Sequence, residues 1–599
     1  MINTESALKD YFGYESFRQG QKEIIEQVLE GKDSLGILPT GAGKSICYQL
    51  PAQLLPGLTL VISPLISLMK DQVDSLGQAG IPATFLNSSL DEEETRSRMS
   101  LVRRGELKLL FVAPERFQSG YFFDFLSSLP IDLVAVDEAH CISQWGHDFR
   151  PSYMDFAPLI KQLPSQPTLL ALTATATPQV ESDIRQLLDI RLENTVKTGF
   201  LRENLRFEVK KNVDKRAFVK SYLKEHQGDA GIIYASTRKE VDELTSYLDK
   251  SGFSVAAYHA GLSEARRRDN QEAFLFDDVQ IIVATNAFGM GINKSNVRFV
   301  IHYNSPGTIE NYYQEAGRAG RDGLDSDAIL LFSLNDMRLR HFFIEQSESD
   351  EGHKAHDYKM LQQMQAYANT ETCLQRYILR YFGDEGEDCG KCSNCTDERV
   401  ATDITVEAQK VLSCVIRMGE RFGKTAVSQV LTGSKNKKLE SWHFEELSTF
   451  GLMKGQKQKA VSELIDFLTS EGYLNISSGQ FPVLSVSING KKVLKGEQEI
   501  YRRELIAQAP AKTTTASESL AVDADLFEVL RQLRLELARE NHVPPFLIFS
   551  DAALRDMAAK QPEDETAFLE VSGVGQVKLE KYGEDFLSAI HDYKEKGAD

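Results

Sequence analysis

From Ser34 to about Leu334 the chain alternates short apolar segments with longer amphipathic stretches, and this recurrence restricts the fold more than any other feature. Residues 59–63, 109–113, 133–137 and 169–173 form one series of apolar segments. After a break at 199–212, residues 230–234, 254–259, 279–285 and 297–303 form a second. Parallel strands are joined by helical crossovers and buried on both faces, so each reads as an apolar run followed by an amphipathic one. The pattern predicts two α/β lobes in tandem.

The 599 residues exceed what one core can organise. Residues 341–398 read as helices broken by a Cys and Gly cluster, and 399–510 as helices followed by apolar, Ser-rich strands around Gly479 and Ile488. The latter is the pattern of a winged helix. Ala, Pro, Thr and Ser dominate 508–519, which predicts a linker, and 521–599 has helical spacing. The expected units are 1–205, 206–340, 341–398, 399–510, a linker at 511–520, and 521–599.

No apolar run approaches the roughly 18 residues that span a bilayer, and 1–10 lacks the apolar stretch of a signal peptide. The expected location is the cytoplasm, with no membrane contact. Seven cysteines in so long a chain do not make a disulfide framework. The net charge of -19 excludes nucleic-acid binding through overall charge, so any such contact has to be local.

Pro39-Thr40-Gly41-Ala42-Gly43-Lys44-Ser45 follows an apolar strand and precedes an apolar helical stretch. That context suits a phosphate-binding loop: Thr40, Gly41 and Gly43 bring backbone amides to phosphate oxygens, Lys44 reaches the terminal phosphates, and Ser45 holds Mg²⁺. Leu38 stands where the strict form of the motif has its first Gly, but the Pro-Thr-Gly-x-Gly-Lys-Ser form resembles superfamily 2 helicases. Asp137-Glu138-Ala139-His140 ends another apolar strand. A carboxylate there faces the ligand crevice of a parallel sheet, so Asp137 is expected to hold Mg²⁺ and Glu138 to take the proton from the attacking water. Tyr313-Gln314-Glu315-Ala316-Gly317-Arg318-Ala319-Gly320-Arg321 offers two arginines three apart, able to neutralise charge developing on a phosphate held by the other lobe. Arg321 is expected to be the finger, with Arg318 and Gln314 as its catalytic neighbours.

With Tyr14 and Phe17-Arg18-Gln19-Gly20-Gln21 added, the sequence resembles the RecQ helicases over nearly its whole length. The resemblance implies an α/β fold: two tandem RecA-like lobes, then a helical zinc-binding subdomain, a winged helix and a small all-α domain of the HRDC type. It implies that Tyr14, Arg18 and Gln21 bind adenine, Gln21 offering the donor and acceptor that favour ATP. It implies ATP-dependent 3′ to 5′ DNA unwinding in recombination and repair, by a monomer at the nucleoid, with a single-strand-binding protein and a topoisomerase as partners. The motor motifs are shared with RNA helicases and with translocases that never separate strands. The cysteine cluster and winged helix favour the RecQ reading, and intact Lys44, Glu138 and Arg321 disfavour a nonenzymatic scaffold.

Trp145 lies in Ile142-Ser143-Gln144-Trp145-Gly146-His147-Asp148-Phe149-Arg150, a polar loop where core packing explains an aromatic poorly. Stacking on unpaired bases contributes about 1–3 kcal/mol per base. The loop resembles the family's aromatic-rich, single-strand-sensing loop, so Trp145, Phe149 and Arg150 are expected to contact DNA. Ser63-Pro64-Leu65-Ile66, Thr173-Ala174-Thr175-Ala176, Tyr258-His259-Ala260-Gly261 and the motif from Val283 to Lys294 resemble the remaining motifs, with Ser63 expected to contact the strand backbone. Ser295 stands where the family usually has Pro, a departure expected to affect loop stiffness.

Cys373, Cys389, Cys392 and Cys395 supply four thiolates at spacings that suit one tetrahedral, structural Zn²⁺. Cys47, Cys141 and Cys414 read as small buried apolar residues. Residues 401–510 hold 15 Lys and Arg against 12 Asp and Glu, and Gly433-Ser434-Lys435-Asn436-Lys437-Lys438 resembles the family's duplex-gripping turn, with Lys435 as its candidate contact. The tail at 521–599 holds 9 Lys and Arg against 17 Asp and Glu, which opposes phosphate binding. The isolated tail is therefore expected to bind DNA only weakly; a mobility shift showing a tight complex at moderate salt would contradict the charge argument.

Overall fold

Apolar runs buried on both faces form the central strands of two sheets, while the outer strands are partly exposed. In the first, β1 (Ser34–Ile37), β2 (Leu58–Ile62), β3 (Ala83–Leu86), β4 (Leu109–Val112), β5 (Ile131–Val136), β6 (Thr168–Thr173) and β7 (Thr195–Lys197) lie in the order β3-β4-β2-β5-β6-β1-β7. In the second, β8 (Leu205–Lys211), β9 (Ala230–Tyr234), β10 (Val255–Tyr258), β11 (Ile281–Ala284), β12 (Val297–His302) and β13 (Ser326–Phe332) lie in the order β10-β11-β9-β12-β13-β8. Every pairing in both sheets is parallel. This computed structural model describes residues 3–64, 66–145, 149–211, 213–288, 294–347, 350–399, 401–434, 442–477, 482–503 and 523–596.

Three helices follow the second sheet, Leu334–Gln346, Glu351–Asn369 and Leu374–Tyr381, and the four clustered cysteines sit against the last of them. Next, Thr405–Arg417, Lys424–Leu431 and Gln458–Ser470 pack around their own apolar core, together with an antiparallel pair, β15 (Leu474–Ile476) and β16 (Leu484–Val486). A second pair, β14 (Ala401–Asp403) with β17 (Tyr501–Arg503), closes the unit. Helices and a short ribbon are what the sequence pattern predicts there, although Gly479 and the 435–438 turn lie outside the described residues. The tail folds as helices Ala524–Glu540, Pro545–Ile548, Asp551–Lys560, Glu565–Leu569 and Gln576–Lys596 around Leu530, Phe549, Phe568 and Phe586. Its buried Arg534 is neutralised by Asp551 at 2.8 Å and donates to the Phe549 carbonyl at 2.8 Å.

The two lobes are tied together by one buried guanidinium. Arg202, in the segment between β7 and β8, donates through Nη1 to the Thr40 carbonyl (2.6 Å) and Thr40 Oγ1 (2.9 Å), and more weakly to the Gly317 carbonyl at 3.3 Å. Its Nη2 reaches the Ala319 and Gly320 carbonyls at 3.0 and 3.3 Å. A rigid planar fork is the donor set this arrangement needs. Asn204 adds bonds to the Gly320 and Leu324 carbonyls at 2.8 and 2.9 Å. Gly317 allows the close approach, because a Cβ there would stand 1.9 Å from Thr40 Oγ1.

The cysteine-bearing helix braces the same segment from behind. Phe382 stacks on Phe200 at 4.4 Å between ring centroids, Gln375 Nε2 donates to the Arg202 carbonyl (3.1 Å), and Asp384 accepts from the Phe200 amide (3.0 Å). Replacing Arg202 by Ala leaves several buried carbonyls without donors, each costing about 1–3 kcal/mol. Arg202→Ala is expected to lower the thermal unfolding midpoint and to cut triphosphate turnover at least about tenfold. Arg202→Lys is expected to rescue little, since an ammonium cannot reproduce the fork; steady-state hydrolysis and a melting curve measure both.

Candidate active site

The phosphate-loop segment joins the end of β1 to helix Ile46–Leu54, with Gly41 and Gly43 both in the left-handed region. Gly43, Lys44, Ser45 and Ile46 line a cavity of about 460 Å³ where that helix begins, the position at which unsatisfied amides favour an anion. Tyr14, Arg18, Gln21, Thr40, Gly41, Asp137 and Glu138 line the same cavity, and so do Gln314, Arg318 and Arg321 from the second lobe. The structure thus brings together every residue that the sequence singles out for nucleotide binding and hydrolysis.

Asp137 lies just past β5, its carbonyl held by the Tyr153 hydroxyl at 3.0 Å, and burial followed by the neighbouring Glu138 pushes its carboxyl up from the usual range. Asp137 and Ser45 line the same cavity and offer oxygens of the kind that suit Mg²⁺, which would restore the charged carboxylate and supply positive charge to the phosphates. Glu138 adopts φ 49°, a left-handed conformation rare for a residue with a side chain. Its Oε2 is buried without a hydrogen bond and lies 3.4 Å from His140 Nδ1, which in turn contacts Thr173 Oγ1 at 2.9 Å. A positioned carboxylate oxygen with free acceptor capacity is what a general base requires.

The cations of the cavity outnumber their local anions. Burial pushes Lys44 down from the usual lysine range, opposed by Glu138 and then Asp137. Burial, then Arg318, then Arg202, disfavours the charge on Arg321. Guanidinium groups nonetheless stay protonated in proteins, so this crowding is relieved by an anion, as a polyphosphate would supply.

Some contacts were not visible in sequence. The Gln21 amide donates to the Ala42 and Gly43 carbonyls, both at 2.9 Å, and accepts from the Arg18 amide at 2.9 Å, while the Arg18 guanidinium meets the Gly41 carbonyl. Arg18 and Gln21, which the resemblance assigns to adenine, therefore hold the phosphate loop itself. Arg202 had no motif to announce it; the only signal was a break between two strand series.

Trp145 is 45% exposed, and its ring lies parallel to His353 (6.2 Å between centroids) and tilted against His356 (5.3 Å) on helix Glu351–Asn369. Phe149 and Arg150 are half-buried, and Arg150 Nη1 donates to the Pro64 carbonyl at 2.9 Å, joining the aromatic loop to the segment after Ser63. Ser63 is buried just past β2, with its Oγ lacking a hydrogen bond among the described residues, so it does not stand on an open surface. Lys435 lies outside the described residues.

The sulfur atoms of Cys373, Cys389, Cys392 and Cys395 lie within 4.8 Å of one another, two pairs at 4.0 Å. Zinc–sulfur bonds of about 2.3 Å in a tetrahedron place sulfurs about 3.8 Å apart, so the cage fits. Backbone amides of Leu374, Arg376, Cys389, Cys392 and Cys395 donate to the sulfurs at 3.3–3.4 Å, as suits thiolates. Gly390 turns with φ 70°, and Asn394 Nδ2 anchors the loop to the Thr370 and Thr372 carbonyls. Cys47, Cys141 and Cys414 are buried elsewhere, and burial pushes the Cys47 thiol up to about 12. Metal analysis is expected to find one zinc per chain. Cys392→Ser is expected to lose it and, by loosening the brace on Phe200 and Arg202, to lower both melting temperature and turnover.

Profiles of known families match in sequence order: the DEAD/DEAH box helicase at 18–183, the helicase conserved C-terminal domain at 214–323, RecQ zinc-binding at 334–396, the RQC domain at 398–511 and the HRDC domain at 523–590. The chain is 50% identical to the ATP-dependent DNA helicase RecQ of Bacillus subtilis (strain 168), over 98% of each chain. It is 40% identical to the protein of the same name from Haemophilus influenzae, over 98% of this chain and 96% of that one. Against the protein of that name from Pasteurella multocida the identity is 40%, over 97% and 93%. With a two-lobed nucleotide cavity and a four-cysteine cage in the matching order, the chain belongs to the RecQ family of ATP-dependent DNA helicases.

Proposed function

We propose that this chain hydrolyses ATP between its two lobes and uses the lobe movement to travel 3′ to 5′ along single-stranded DNA and separate the duplex ahead. The observation that carries this reading is the single cavity lined by Lys44, Ser45, Asp137 and Glu138 from one lobe and by Gln314, Arg318 and Arg321 from the other. A site divided between two bodies changes its affinity when they move, which couples hydrolysis to motion.

Tyr14, Arg18 and Gln21 hold the base, and Thr40, Gly41, Gly43, Lys44 and Ser45 hold the phosphates. Glu138 takes the proton from the attacking water, while Arg321, supported by Arg318 and Gln314, neutralises charge as the terminal phosphate departs. Arg202 bonds both to the phosphate loop and to the backbone beside Arg318, so it transmits lobe position to the phosphates. Trp145, with Phe149 and Arg150, stacks on and steadies unpaired DNA. Ser63 approaches the strand when its segment shifts, and Lys435 grips duplex phosphate. The working units run 1–205, 206–340, 341–398, 399–510 and 521–599, joined by the linker 511–520. The protein acts as a monomer on DNA in the cytoplasm, at the nucleoid, beside a single-strand-binding protein and a topoisomerase. No helix among the described residues is long and apolar enough to cross a membrane.

Glu138→Gln is expected to bind ATP with near-normal affinity and to lose at least about 100-fold in DNA-stimulated hydrolysis. Retained turnover would remove Glu138 from the role of base. Unwinding of fluorescent duplexes with a 3′ or a 5′ tail, in DNA and in RNA, tests the rest. Activity on the 3′-tailed DNA alone is expected, and preference for the RNA duplex or the 5′ tail would overturn the assignment.

A further inference from the structure

The turn that carries Arg318 and Arg321 is held twice, and the clasp is only one of the two holds. Arg202 keeps the carbonyls of Gly317, Ala319 and Gly320 beside the phosphate loop of the first lobe. Within the second lobe, Glu315 lies in the last turn of helix Ile309–Ala316, and the Arg318 amide donates to its carbonyl at 3.2 Å. The Glu315 carboxylate meets His302 Nε2 at 2.7 Å. His302 is the last residue of β12, a strand interior to the second sheet, and its side chain is 1% exposed.

The imidazole has little freedom. It stacks on Tyr234 at 5.5 Å between centroids and tilts against Tyr312 at 4.9 Å, one ring from β9 and the other from the helix that bears Glu315. Its Nδ1 is buried without a hydrogen bond among the described residues, which leaves Glu315 as the polar partner of the ring. A carboxylate accepts, so the ring's proton sits on Nε2. Tyr234 carries the contact on toward the arginines: burial raises its hydroxyl above the usual tyrosine range, opposed first by Arg318. Neither His302 nor Glu315 lines the nucleotide cavity, so whatever they do there is done through other residues.

We propose that His302 and Glu315 form a positioning pair that ties the arginine-bearing turn to the second sheet, so that Arg318 and Arg321 move with that lobe as it closes on the nucleotide. The inference rests on the reading of Arg321 as the finger. The clasp binds the turn to the first lobe's loop, but a finger acts only if it travels with the body that delivers it. A short bond from a strand end in the centre of the sheet supplies that second attachment.

The test uses the full chain. A Gln amide nitrogen stands near the place of Nε2 and an Asn amide nitrogen near that of Nδ1, so only His302→Gln keeps a donor for Glu315. His302→Asn is expected to lower kcat for ATP at least about tenfold, as a misplaced transition-state group does, with KM and fluorescent-ADP affinity within about twofold of wild type. Trapping of fluorescent ADP by aluminium fluoride, which draws on the arginines, is expected to fall with kcat, and His302→Gln is expected to restore both. A pair that merely stabilised the fold would lower the melting temperature without separating kcat from KM or Gln from Asn. Glu315→Ala is expected to show the same loss of kcat and serves where His302→Asn does not fold. Wild-type kcat in either variant overturns the proposal, and so does an equal loss in His302→Gln and His302→Asn. Arg321→Ala separates the two levels: full turnover there overturns the finger assignment itself, whereas a dead Arg321→Ala beside a fully active His302→Asn overturns the positioning role alone.

Discussion

The arrangement of the motor depends on the Arg202 clasp. One buried apolar cluster runs from the first lobe into the second, but apolar packing is non-directional, and a cleft active site works only if the lobes hold one relative position. The clasp supplies that position with donors from one side chain and acceptors from two backbones, the phosphate loop at Thr40 and the turn at Gly317, Ala319 and Gly320. Because every acceptor but the Thr40 hydroxyl is a carbonyl, the contact depends mainly on backbone path. The two loops must present their carbonyls together, and the glycines of the second loop make that approach sterically possible.

A buried guanidinium bonded only to neutral acceptors, carbonyls and one hydroxyl, carries a desolvation cost that they offset incompletely. That cost is tolerated because the segment around it is fixed from outside. Phe200 lies between Phe382 and Tyr313, whose hydroxyl donates to the Phe200 carbonyl at 2.8 Å, and the helix bearing Phe382 begins at Cys373. The cysteine cage, far in sequence from the phosphate loop, thereby fixes the residue that touches it. A metal-holding subdomain at this place is part of the hinge and not an appendage.

The lobes were legible in sequence because parallel strands are buried on both faces and show as apolar runs whatever their neighbours. The cavity residues were legible because phosphate chemistry restricts residue types at fixed spacing, and the cysteines because a tetrahedral cage does the same. What escaped is what depends on tertiary meeting. Arg202 stands in a stretch without periodicity, which reads as a mere break. β3 and β7 are too short to stand out against loop sequence. The bond from the Gln21 amide, assigned to the base by resemblance, to the phosphate loop also escaped, since only the folded chain brings residues 21 and 43 together. The docking of Trp145 on His353 and His356 joins segments some two hundred residues apart, beyond the reach of any local pattern.

Net charge, which excluded nonspecific nucleic-acid binding, says nothing about where this protein holds anions. The chain is acidic by 19 charges, yet the cations that matter are removed from its surface average: Lys44, Arg202, Arg318 and Arg321 lie at or beside the seam of the lobes. In each case burial makes the charge more demanding than it would be in water, where an exposed lysine is satisfied by solvent at little cost. Cations gathered where solvent is scarce, at the meeting of two lobes, are therefore a stronger indication of an anionic ligand than any surplus of lysine on the outside.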